Sequence, residues 1–392
     1  MTGPPPGARC PACGASGLDL FHTQDELPTN SCLLVEDEAE ALAFPTGSLR
    51  LVVCPSCGFI SNFAFDPSLA EYSERYEETQ AFSPHFQEFA RGLAADWVDR
   101  HGLAGGTVVE IGCGKGEFLA MMAEAGIGAG VGIDPGVHPE RIDARWDRTL
   151  TWVADKFDDR FGPIEADAVV CRHTLEHIAP VGDFVRLVRT AIGDRHDTTV
   201  LFELPDTTRV LDEVAFWDVY YEHCSYFTAG SLARLFTANG FQVDDVRYAY
   251  DDQYLLLEAR PAAGAGGGWS KDDVAGTVAG VGGFAAGFAG ITRDWTGRVR
   301  AVTDAGGSTV IWGGGSKGVA FLNAVDAAIT AAVDINPHKQ GKYMAGTGHR
   351  VIAPAELVTL DPALVVAMNP VYLDEISAEL SRLGLSPDLV AV

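Results

Sequence analysis

The residues best suited to chemistry in this chain are Tyr220, Glu222 and His223, which stand close together in a polar and aromatic segment. A histidine titrates near neutrality, and a neighbouring carboxylate can fix the tautomer of its ring. A phenol can donate a hydrogen bond to a developing oxyanion. The three residue types therefore favour general-base catalysis, although a half-buried aromatic strand with incidental polar residues would show the same pattern.

A pair of histidines, His173 and His177, follows a predicted strand that ends at Cys171, and it should border the same cleft. Because the two residues are four apart, their rings would face one side of a helical turn. That spacing makes a metal site conceivable, but no third ligand is evident. We expect no catalytic metal there.

Three glycines on alternate positions, Gly112, Gly114 and Gly116, follow a predicted buried strand that contains Glu110. Glycine is needed where a backbone takes positive φ or approaches a ligand closely. A second strand ends in Asp134, whose carboxylate could accept both ribose hydroxyls of a nucleoside. The spacing differs from the G-x-G-x-x-G of pyrophosphate-binding loops, so the pattern predicts a nucleoside cofactor held without a pyrophosphate at this loop. A purely structural tight turn is the alternative.

A second glycine loop, Gly313, Gly315 and Gly318, does have the G-x-G-x-x-G spacing. It follows an apolar strand, and the acid Asp334 lies 16 residues beyond Gly318 at the end of another. A nucleotide or pyrophosphate could bind at such a loop, although a domain that serves only as a packing partner would also fit. We predict that the nucleotide of a substrate contacts the following residues: Gly313, Gly315, Ser316, Lys317, Asp334, Asn336 and Asn369.

Two Cys-Pro-x-Cys-Gly knuckles account for four of the eight cysteines, namely Cys10, Cys13, Cys54 and Cys57. Each knuckle can present two thiolates to one tetrahedral ion, so the spacing predicts zinc, with iron as the minor alternative. A set of four thiolates leaves no open position, and the role should be structural. Nucleic-acid binding is not expected of this module, because no lysine occurs before Lys115.

Composition limits the remaining possibilities. The chain has 392 residues, is 47% hydrophobic and carries a formal charge of -26, so two or three domains are expected and a polyanionic partner is disfavoured. No apolar run that we identify reaches the roughly 18 to 20 residues of a membrane span, and the first residues lack the features of a signal peptide. We expect a cytoplasmic protein that does not bind nucleic acid or a membrane and that is a monomer or a small homo-oligomer.

Strand and helix signals alternate after residue 100, which predicts an α/β fold with doubly wound parallel sheets. Helical apolar spacing also marks Leu69 to Tyr76, Phe82 to His101 and a glycine-interrupted stretch from Val274 to Ala305. The glycine-rich run Ala262 to Gly268 resembles a linker. We predict a zinc-binding module over 1–68, a cofactor-binding domain over 69–262 and a Rossmann-like domain over 263–392.

With these motifs in order, the chain resembles the S-adenosylmethionine (SAM)-dependent C-methyltransferases that act on nucleotide-linked deoxysugars. The resemblance covers nearly the full length: the four-cysteine module, the E-x-G-x-x-x-G loop, the Tyr-x-Glu-His segment and the Gly-x-Gly-x-Lys turn. It implies a class I (Rossmann-like) methyltransferase domain flanked by a zinc module and a C-terminal Rossmann-like domain. It implies that SAM is surrounded by Glu110, Gly112, Gly114, Gly116, Asp134, Asp155, Tyr76 and Ser83. It implies a catalytic set of His223, Tyr220, Glu222 and His177, with His223 as the base.

The implied reaction is methylation of a carbon next to a sugar ketone, through an enolate, on a nucleotide-linked sugar. Asp251 to Leu255 departs from the family pattern, because an acidic stretch replaces a Gly-Gly-Ser strand near the expected substrate. Methylation at oxygen or nitrogen of another small molecule would need much the same SAM site. Two further alternatives are an NAD-dependent oxidoreductase that uses the Gly313 to Gly318 loop and a non-enzymatic, zinc-scaffolded assembly protein.

Overall fold

The computed structural model of the chain describes residue 4 and residues 7–70, 75–263 and 273–392. These residues form three β-sheets, of four, seven and five strands. The two larger sheets are built from alternating strands and helices, as the alternation in the sequence predicted.

The N-terminal sheet is antiparallel and is completed by a strand from the middle of the chain. Its order is β1-β2-β3-β9, and β9 pairs with β3 through Ile60 opposite Tyr226 and Ser61 opposite Ser225. A short helix, α1 (Glu38–Leu42), is capped by the side chain of Asp37. The strands are β1 (Asp19–Pro28), β2 (Thr46–Val53), β3 (Ile60–Asn62) and β9 (Ser225–Tyr226).

The seven-stranded sheet has the order β10-β11-β8-β7-β4-β5-β6. Its strands β4 to β8 are parallel, β11 runs antiparallel to β8, and β10 runs antiparallel to β11. This is the class I methyltransferase arrangement, so the predicted fold class is confirmed. The strands are β4 (Thr107–Ile111), β5 (Ala129–Ile133), β6 (Leu150–Val153), β7 (Ala168–Arg172), β8 (Thr199–Pro205), β10 (Phe241–Ala249) and β11 (Tyr254–Pro261).

Helices cover both faces of this sheet because its strands are apolar on both sides. Trp97, for example, is fully buried and packs edge-on against Phe118, with the ring centroids 5.6 Å apart. The helices are α2 (Pro84–Arg100), α3 (Glu117–Ala125), α4 (Val181–Ile192), α5 (Thr207–Glu213) and α6 (Ala229–Ala238).

The C-terminal domain is a second, smaller Rossmann-like unit with an all-parallel sheet in the order β14-β13-β12-β15-β16. Its strands are β12 (Thr309–Trp312), β13 (Ala331–Val333), β14 (Val351–Ile352), β15 (Leu364–Ala367) and β16 (Asp388–Ala391). Its helices are α7 (Val274–Asp304), α8 (Ser316–Ala324), α9 (Leu357–Leu360) and α10 (Leu373–Arg382).

Among the described helices, α7 alone is long and apolar enough to cross a membrane by length and composition. The sequence reasoning had not singled it out as such. Its side chains Val281, Phe284 and Trp295 are buried in a core that also contains Leu51 of β2 and Val210 of α5. Only 17% of its apolar window is buried, and a single helix of this kind is weak evidence for a membrane span.

Two local predictions are wrong. Of the helix expected over Leu69 to Tyr76, the described residues 70, 75 and 76 are not helical and Leu69 ends a 3-10 turn, Pro67–Leu69; residues 71–74 lie outside the described part of the chain. His173 and His177 do not share a helical face, because His173 adopts a φ of 46° and the following turn is a 3-10 turn. The expected linker Ala262 to Gly268 lies mostly outside the described residues.

The domain boundaries remain predictions, and the sheets qualify the first of them. The predicted boundary at residue 68 would assign β9 to the methyltransferase domain, although β9 belongs to the N-terminal sheet. The strand is only two residues long and begins two residues after His223, so the segment that contains His223 is held by the N-terminal module.

Candidate functional site

A cavity of about 1130 Å³ lies between the methyltransferase domain and the C-terminal domain. The carboxyl ends of the parallel strands in both sheets open into it, which is where open α/β sheets bind their ligands. Both glycine loops, the Tyr220 to His223 segment and the stretch before α2 contribute to its wall.

The first glycine loop follows β4 and requires its glycines for steric reasons. Gly112, Gly114 and Gly116 have φ values of 71°, 51° and 84°, which disfavour other residues. A Cβ on Gly112 would lie 2.0 Å from Oγ1 of Thr174, and one on Gly116 would lie 2.6 Å from the Trp152 ring. Glycine is therefore required at both positions, and the loop has only backbone atoms there.

Two carboxylates flank this loop. Glu110 is buried, and among the described residues its Oε2 has no hydrogen-bond partner. Burial raises the pKa of Glu110 to about 8, although Arg172 lowers it in part. Asp134 accepts hydrogen bonds from the backbone N–H groups of Gly114 at 3.1 Å and Gly136 at 2.6 Å. A buried carboxyl group with one unpartnered oxygen beside a glycine loop fits a ligand that carries an ammonium group, as the methionine end of SAM does.

The remaining predicted cofactor residues also line the cavity, but their polar atoms have partners. Tyr76 donates to Glu222 at 3.0 Å. Ser83 caps α2 and donates to Glu375 at 2.9 Å. Asp155 pairs with Arg160 at 2.9 Å. The sequence resemblance supplied these three positions, and the structure places them on the wall of the same cavity.

The predicted base His223 is buried in a corner of the cavity among aromatic rings. Its ring centroid lies 4.1 Å from that of Tyr220 and 4.8 Å from that of His177, the latter edge-on. Burial, reinforced by the nearby His177 and His173, lowers the pKa of His223 well below its usual value. Burial also raises the pKa of Tyr220. The imidazole of His223 thus lies beside a phenol that stays protonated and can donate a hydrogen bond.

Glu222, in contrast, is surrounded by donors from other parts of the chain. Its carboxylate accepts hydrogen bonds from Asn30 Nδ2 at 3.1 Å, from the Ser31 N–H at 3.1 Å and from the Tyr76 hydroxyl, and also from the Ser31 hydroxyl. The hydroxyl of Ser31 lies 2.7 Å from that of Ser316 in α8. Glu222 therefore joins the N-terminal module to the cavity wall.

Sequence reasoning missed a carboxylate in this corner, Glu176. Ligand atoms of Glu176, His177 and His223 all lie within 4.8 Å of one another. The Oε2 atom of Glu176 is buried and has no hydrogen-bond partner in the described part of the chain. The same spacing would suit a metal ion or a proton-transfer set. The signal in the sequence was only a glutamate next to a noted histidine, at His177.

A buried ionic cluster lies next to this corner. Arg172 and His173 both pair with Glu203 of β8, the latter with Nε2 at 3.4 Å from Oε1. Burial alone would lower the pKa of His173, but Glu203 raises it to about 9. Arg172 and His173 in turn hold the pKa of Glu203 at about 2 despite its burial. His173 is thus a charged structural neighbour, not the partner of His177 that its spacing predicted.

The second glycine loop repeats the hydrogen-bond geometry of the first. Asp334 accepts from the N–H groups of Gly314 at 2.9 Å and Asn336 at 2.8 Å. A Cβ on Gly318 would lie 2.2 Å from the carbonyl oxygen of Gly313, so only glycine allows α8 to approach the loop. Gly313 and Gly315 line the cavity.

Several predicted nucleotide-binding side chains already have protein partners. Lys317 forms an ion pair with Asp218, so its charge is neutralised by a residue that sequence reasoning did not connect to it. Asn336 donates to Glu77 at 2.9 Å. Asn369 exchanges two amide hydrogen bonds with Gln253, at 3.0 and 2.9 Å.

The acidic stretch that departs from the family pattern does not face the cavity with its acids. Tyr250, Asp251 and Asp252 have φ values of 54°, 52° and 58° at a hairpin tip, and both aspartates are exposed. Gln253 and Tyr254 are buried and line the cavity instead. The expectation of acidic groups at the substrate is therefore wrong.

The four knuckle cysteines converge, as their spacing predicted. Their Sγ atoms lie within 4.8 Å of one another, with 3.7 Å between Cys10 and Cys57 and between Cys13 and Cys54. No disulfide links them. Four thiol groups at this separation fit a single tetrahedral ion.

Comparison with known proteins agrees with the division into a methyltransferase domain and a C-terminal domain. A methyltransferase-domain family model matches residues 86–246, and a C-methyltransferase C-terminal domain model matches residues 273–385. C-methyltransferase NovU of Streptomyces niveus is 29% identical over 239 residues, which are 59% of this chain and 55% of NovU. A ubiquinone biosynthesis O-methyltransferase of Pseudomonas paraeruginosa is 33% identical over 102 residues, 24% of this chain and 43% of that protein. The matches span about half the length of these relatives.

Among solved structures, a Burkholderia thailandensis 1,6-didemethyltoxoflavin-N1-methyltransferase is similar with a TM-score of 0.37 and 21% identity, over 45% of this chain and 80% of that one. Mitomycin 7-O-methyltransferase MmcR has a TM-score of 0.37 and 21% identity, over 45% and 53% of the two chains. The two family matches lie in tandem, in the order of the two Rossmann-like units.

Proposed function

Because the chain belongs to the family of SAM-dependent C-methyltransferases, we propose that it methylates a carbon next to a ketone on a nucleotide-linked deoxysugar. The observation that carries this proposal is the buried His223 beside Tyr220, in the same cavity as the loop after Glu110. NovU is named a C-methyltransferase, and its match to this chain is the longest of those given above.

The chain's own residues suit SAM at the first glycine loop. Glu110 would accept a hydrogen bond from the ligand's ammonium group, and the oxygens of Asp134 would face its ribose hydroxyls, as acids at this position do in open α/β sheets. Gly112, Gly114 and Gly116 would let the backbone approach the nucleoside. Bound SAM supplies a methyl group activated by a sulfonium.

The proton chemistry belongs to the corner around His223. The imidazole of His223 takes the proton from the carbon next to the ketone and becomes an imidazolium, while the electron pair of that C–H bond moves onto the ketone oxygen. The Tyr220 phenol donates a hydrogen bond to the resulting oxyanion. The carboxylate of Glu176 is close enough to His223 to stabilise the imidazolium. In this scheme Glu222 does not exchange a proton. It positions the Tyr220 to His223 segment through the hydrogen bonds that its carboxylate accepts.

The other ligand in the proposal is a zinc ion held by Cys10, Cys13, Cys54 and Cys57. Their mutual spacing supports it. Four protein ligands leave no open coordination position, so the ion is structural. It would fix the turn between β2 and β3, and β3 in turn pairs with β9 directly after the catalytic segment.

Calorimetry with SAM and a turnover assay on nucleotide-linked deoxy-ketosugars test the proposal together. We expect His223→Ala to bind SAM like the wild type and to lose turnover by about a thousandfold, a typical loss for a general base. His338→Ala, which changes an exposed histidine, should leave both unchanged. Wild-type binding of NAD without SAM, or full turnover by His223→Ala, would contradict the proposal.

A further inference from the structure

One carboxyl group on the cavity wall, that of Glu78, belongs neither to the predicted cofactor residues nor to the corner around His223. Its Oε2 atom is buried and has no hydrogen-bond partner in the described part of the chain. The Nζ atom of Lys115 is 3.9 Å from this oxygen, beyond hydrogen-bond distance. Lys115 donates instead to the carbonyl oxygen of Gly136 at 3.0 Å. The carboxyl group of Glu78 is therefore available to a ligand.

The residues on either side of Glu78 hold it in place. Glu77 accepts a hydrogen bond from Asn336 of the C-terminal domain at 2.9 Å. Thr79 donates to Glu117, the first residue of α3, at 2.6 Å. Because both neighbours are anchored to different parts of the cavity wall, the side chain of Glu78 has a defined position in the cavity.

That position is beside the middle of the first glycine loop. The Oε1 atom of Glu78 lies 2.7 Å from the point that a Cβ on Gly114 would occupy. Apart from the chain neighbours of Gly114, no other described residue has an atom within 4 Å of that point. The N–H group of Gly114 donates to Asp134 at 3.1 Å. Glu78 and Asp134 are thus two carboxyl groups next to the same glycine.

The structure of SAM determines which of its groups would lie there. The sulfur is bonded both to the ribose and to the methionine chain, so it lies between the ribose and the ammonium group. With the ammonium group at Glu110 and the ribose at Asp134, the sulfur lies beside the loop between these two acids, where Gly114 is. The sulfonium carries a full positive charge, and a nearby carboxylate attracts it strongly where little water is present.

We propose that Glu78 recognises the positive charge of the sulfonium and makes the site selective for SAM over its product, S-adenosylhomocysteine (SAH). This inference rests on the proposed function in assuming that SAM occupies the first glycine loop. In methyl transfer the bond from sulfur to the methyl carbon breaks, its electron pair stays on sulfur, and the sulfonium becomes a neutral thioether. The attraction to Glu78 is lost in that step, so the site favours the exchange of SAH for SAM.

The charge of Glu78 sets the conditions of the test. Burial raises the pKa of Glu78 to about 7, although Lys115 lowers it in part, and Asp134 and Glu77 add to the rise. A cation beside the carboxylate lowers its pKa. Affinities compared at pH 8 therefore refer to a Glu78 that is ionised in most molecules.

Calorimetry at pH 8 with SAM, SAH and sinefungin tests the assignment. Sinefungin carries an ammonium group in the place of the sulfonium methyl, so it keeps a positive charge near that position without a methyl group to transfer. We expect the wild type to bind SAM and sinefungin at least about tenfold more tightly than SAH, as the loss of one close charge contact predicts. In Glu78→Gln both ratios should fall to within about twofold, with little change in the affinity for SAH.

Two substitutions outside the cavity serve as controls. Glu88→Gln removes an exposed carboxylate from α2. Lys342→Gln removes a lysine that pairs with Glu36. Both variants should keep the wild-type ratios, and thermal unfolding with SAH checks that Glu78→Gln is folded.

Equal affinities of the wild type for SAM, sinefungin and SAH would overturn the inference, whatever the variants do. A Glu78→Gln protein with the wild-type ratios would overturn it as well. Either result, with methyl transfer to carbon intact, would leave the proposed function standing. A wild type that prefers SAM through Glu78 but methylates oxygen or nitrogen would do the reverse.

Discussion

Glu77 and Asn336 form a buried hydrogen bond, 2.9 Å from Asn336 Nδ2 to Glu77 Oε1, that joins the approach to α2 to the C-terminal domain. The other oxygen of Glu77 pairs with Arg141 of the methyltransferase domain at 3.0 Å. Glu77 stands between Tyr76, which contacts Glu222, and Glu78, which lies near Lys115 of the first glycine loop. One buried carboxylate therefore connects both halves of the cavity.

Loss of the hydrogen bond between Glu77 and Asn336 should weaken cofactor binding. We predict that Asn336→Ala weakens SAH binding by about tenfold, since removing a partner of a buried charged group costs about 1.5 kcal/mol. Calorimetry measures the effect, and Asn239→Ala, at an amide that pairs with Arg186, serves as control. Equal SAH affinity in Asn336→Ala and the wild type would show that the contact does not shape the cofactor site.

Glu110 should release a proton when the cofactor binds. Its pKa is raised to about 8 by burial, so the carboxyl is mostly protonated at pH 7 without ligand. A ligand ammonium group would lower that pKa and expel the proton. Titrations with SAH at pH 7, in buffers of different ionisation enthalpy, should therefore report close to one proton released, and Glu110→Gln should abolish the release and weaken binding. Binding without proton release in the wild type would contradict this role.

The ionic cluster at Glu203 predicts how stability depends on pH. The pKa of His173 is raised from 6.5 to about 9 in the folded protein, so its contribution is complete below pH 6.5 and is lost as the pH rises to 9. The pKa of Glu203 is lowered from 4.5 to about 2, so its contribution is complete above pH 4.5 and is lost as the pH falls.

We expect the free energy of unfolding to fall by about 2 kcal/mol between pH 6.5 and pH 9. Denaturant titrations of His173→Asn should show a flatter profile over that range, while His338→Asn, at an exposed site, should follow the wild type. A profile for His173→Asn that declines as steeply as that of the wild type would remove His173 as the cause.

Zinc removal should reach the catalytic segment through β3 and β9. The Cys57 carbonyl also accepts two hydrogen bonds from Arg234 of α6, at 3.0 and 2.8 Å, so the knuckle is tied to the methyltransferase domain. We predict that Cys54→Ser loses the bound metal, at least about 3 kcal/mol of stability and most of its turnover. Metal analysis and thermal unfolding measure this, with Cys171→Ala as a control that keeps its zinc. A metal-free Cys54→Ser with normal stability would refute the structural role.

The parts of this molecule that the sequence revealed are those encoded by local pattern. The loop at Gly112 to Gly116, the second loop at Gly313 and the two cysteine knuckles each combine steric need with fixed spacing, so their elements could be placed from residues alone. The parallel order of the strands followed from the alternation of strand and helix.

Contacts between distant segments could not be read in that way. The ion pair of Lys317 with Asp218 and the approach of Lys339 to Gly315 join residues brought together only by the fold. Local spacing even misled at His173, where a positive φ and the 3-10 turn that follows replace the expected helical turn, and the ring pairs with Glu203. Burial lowers the pKa of His223, a shift that the residue type alone could not predict.

Proton exchange at the carbon next to the acceptor's ketone tests the central claim most directly. With a nucleotide-linked deoxy-ketosugar and SAH in deuterated water, no methyl group can be transferred, yet the base can still remove and return the proton. NMR should show exchange at that carbon with wild-type protein and with Lys342→Gln, and none above background with His223→Ala. Methyl transfer by the wild type from SAM to oxygen or nitrogen, with no exchange at carbon, would contradict the account.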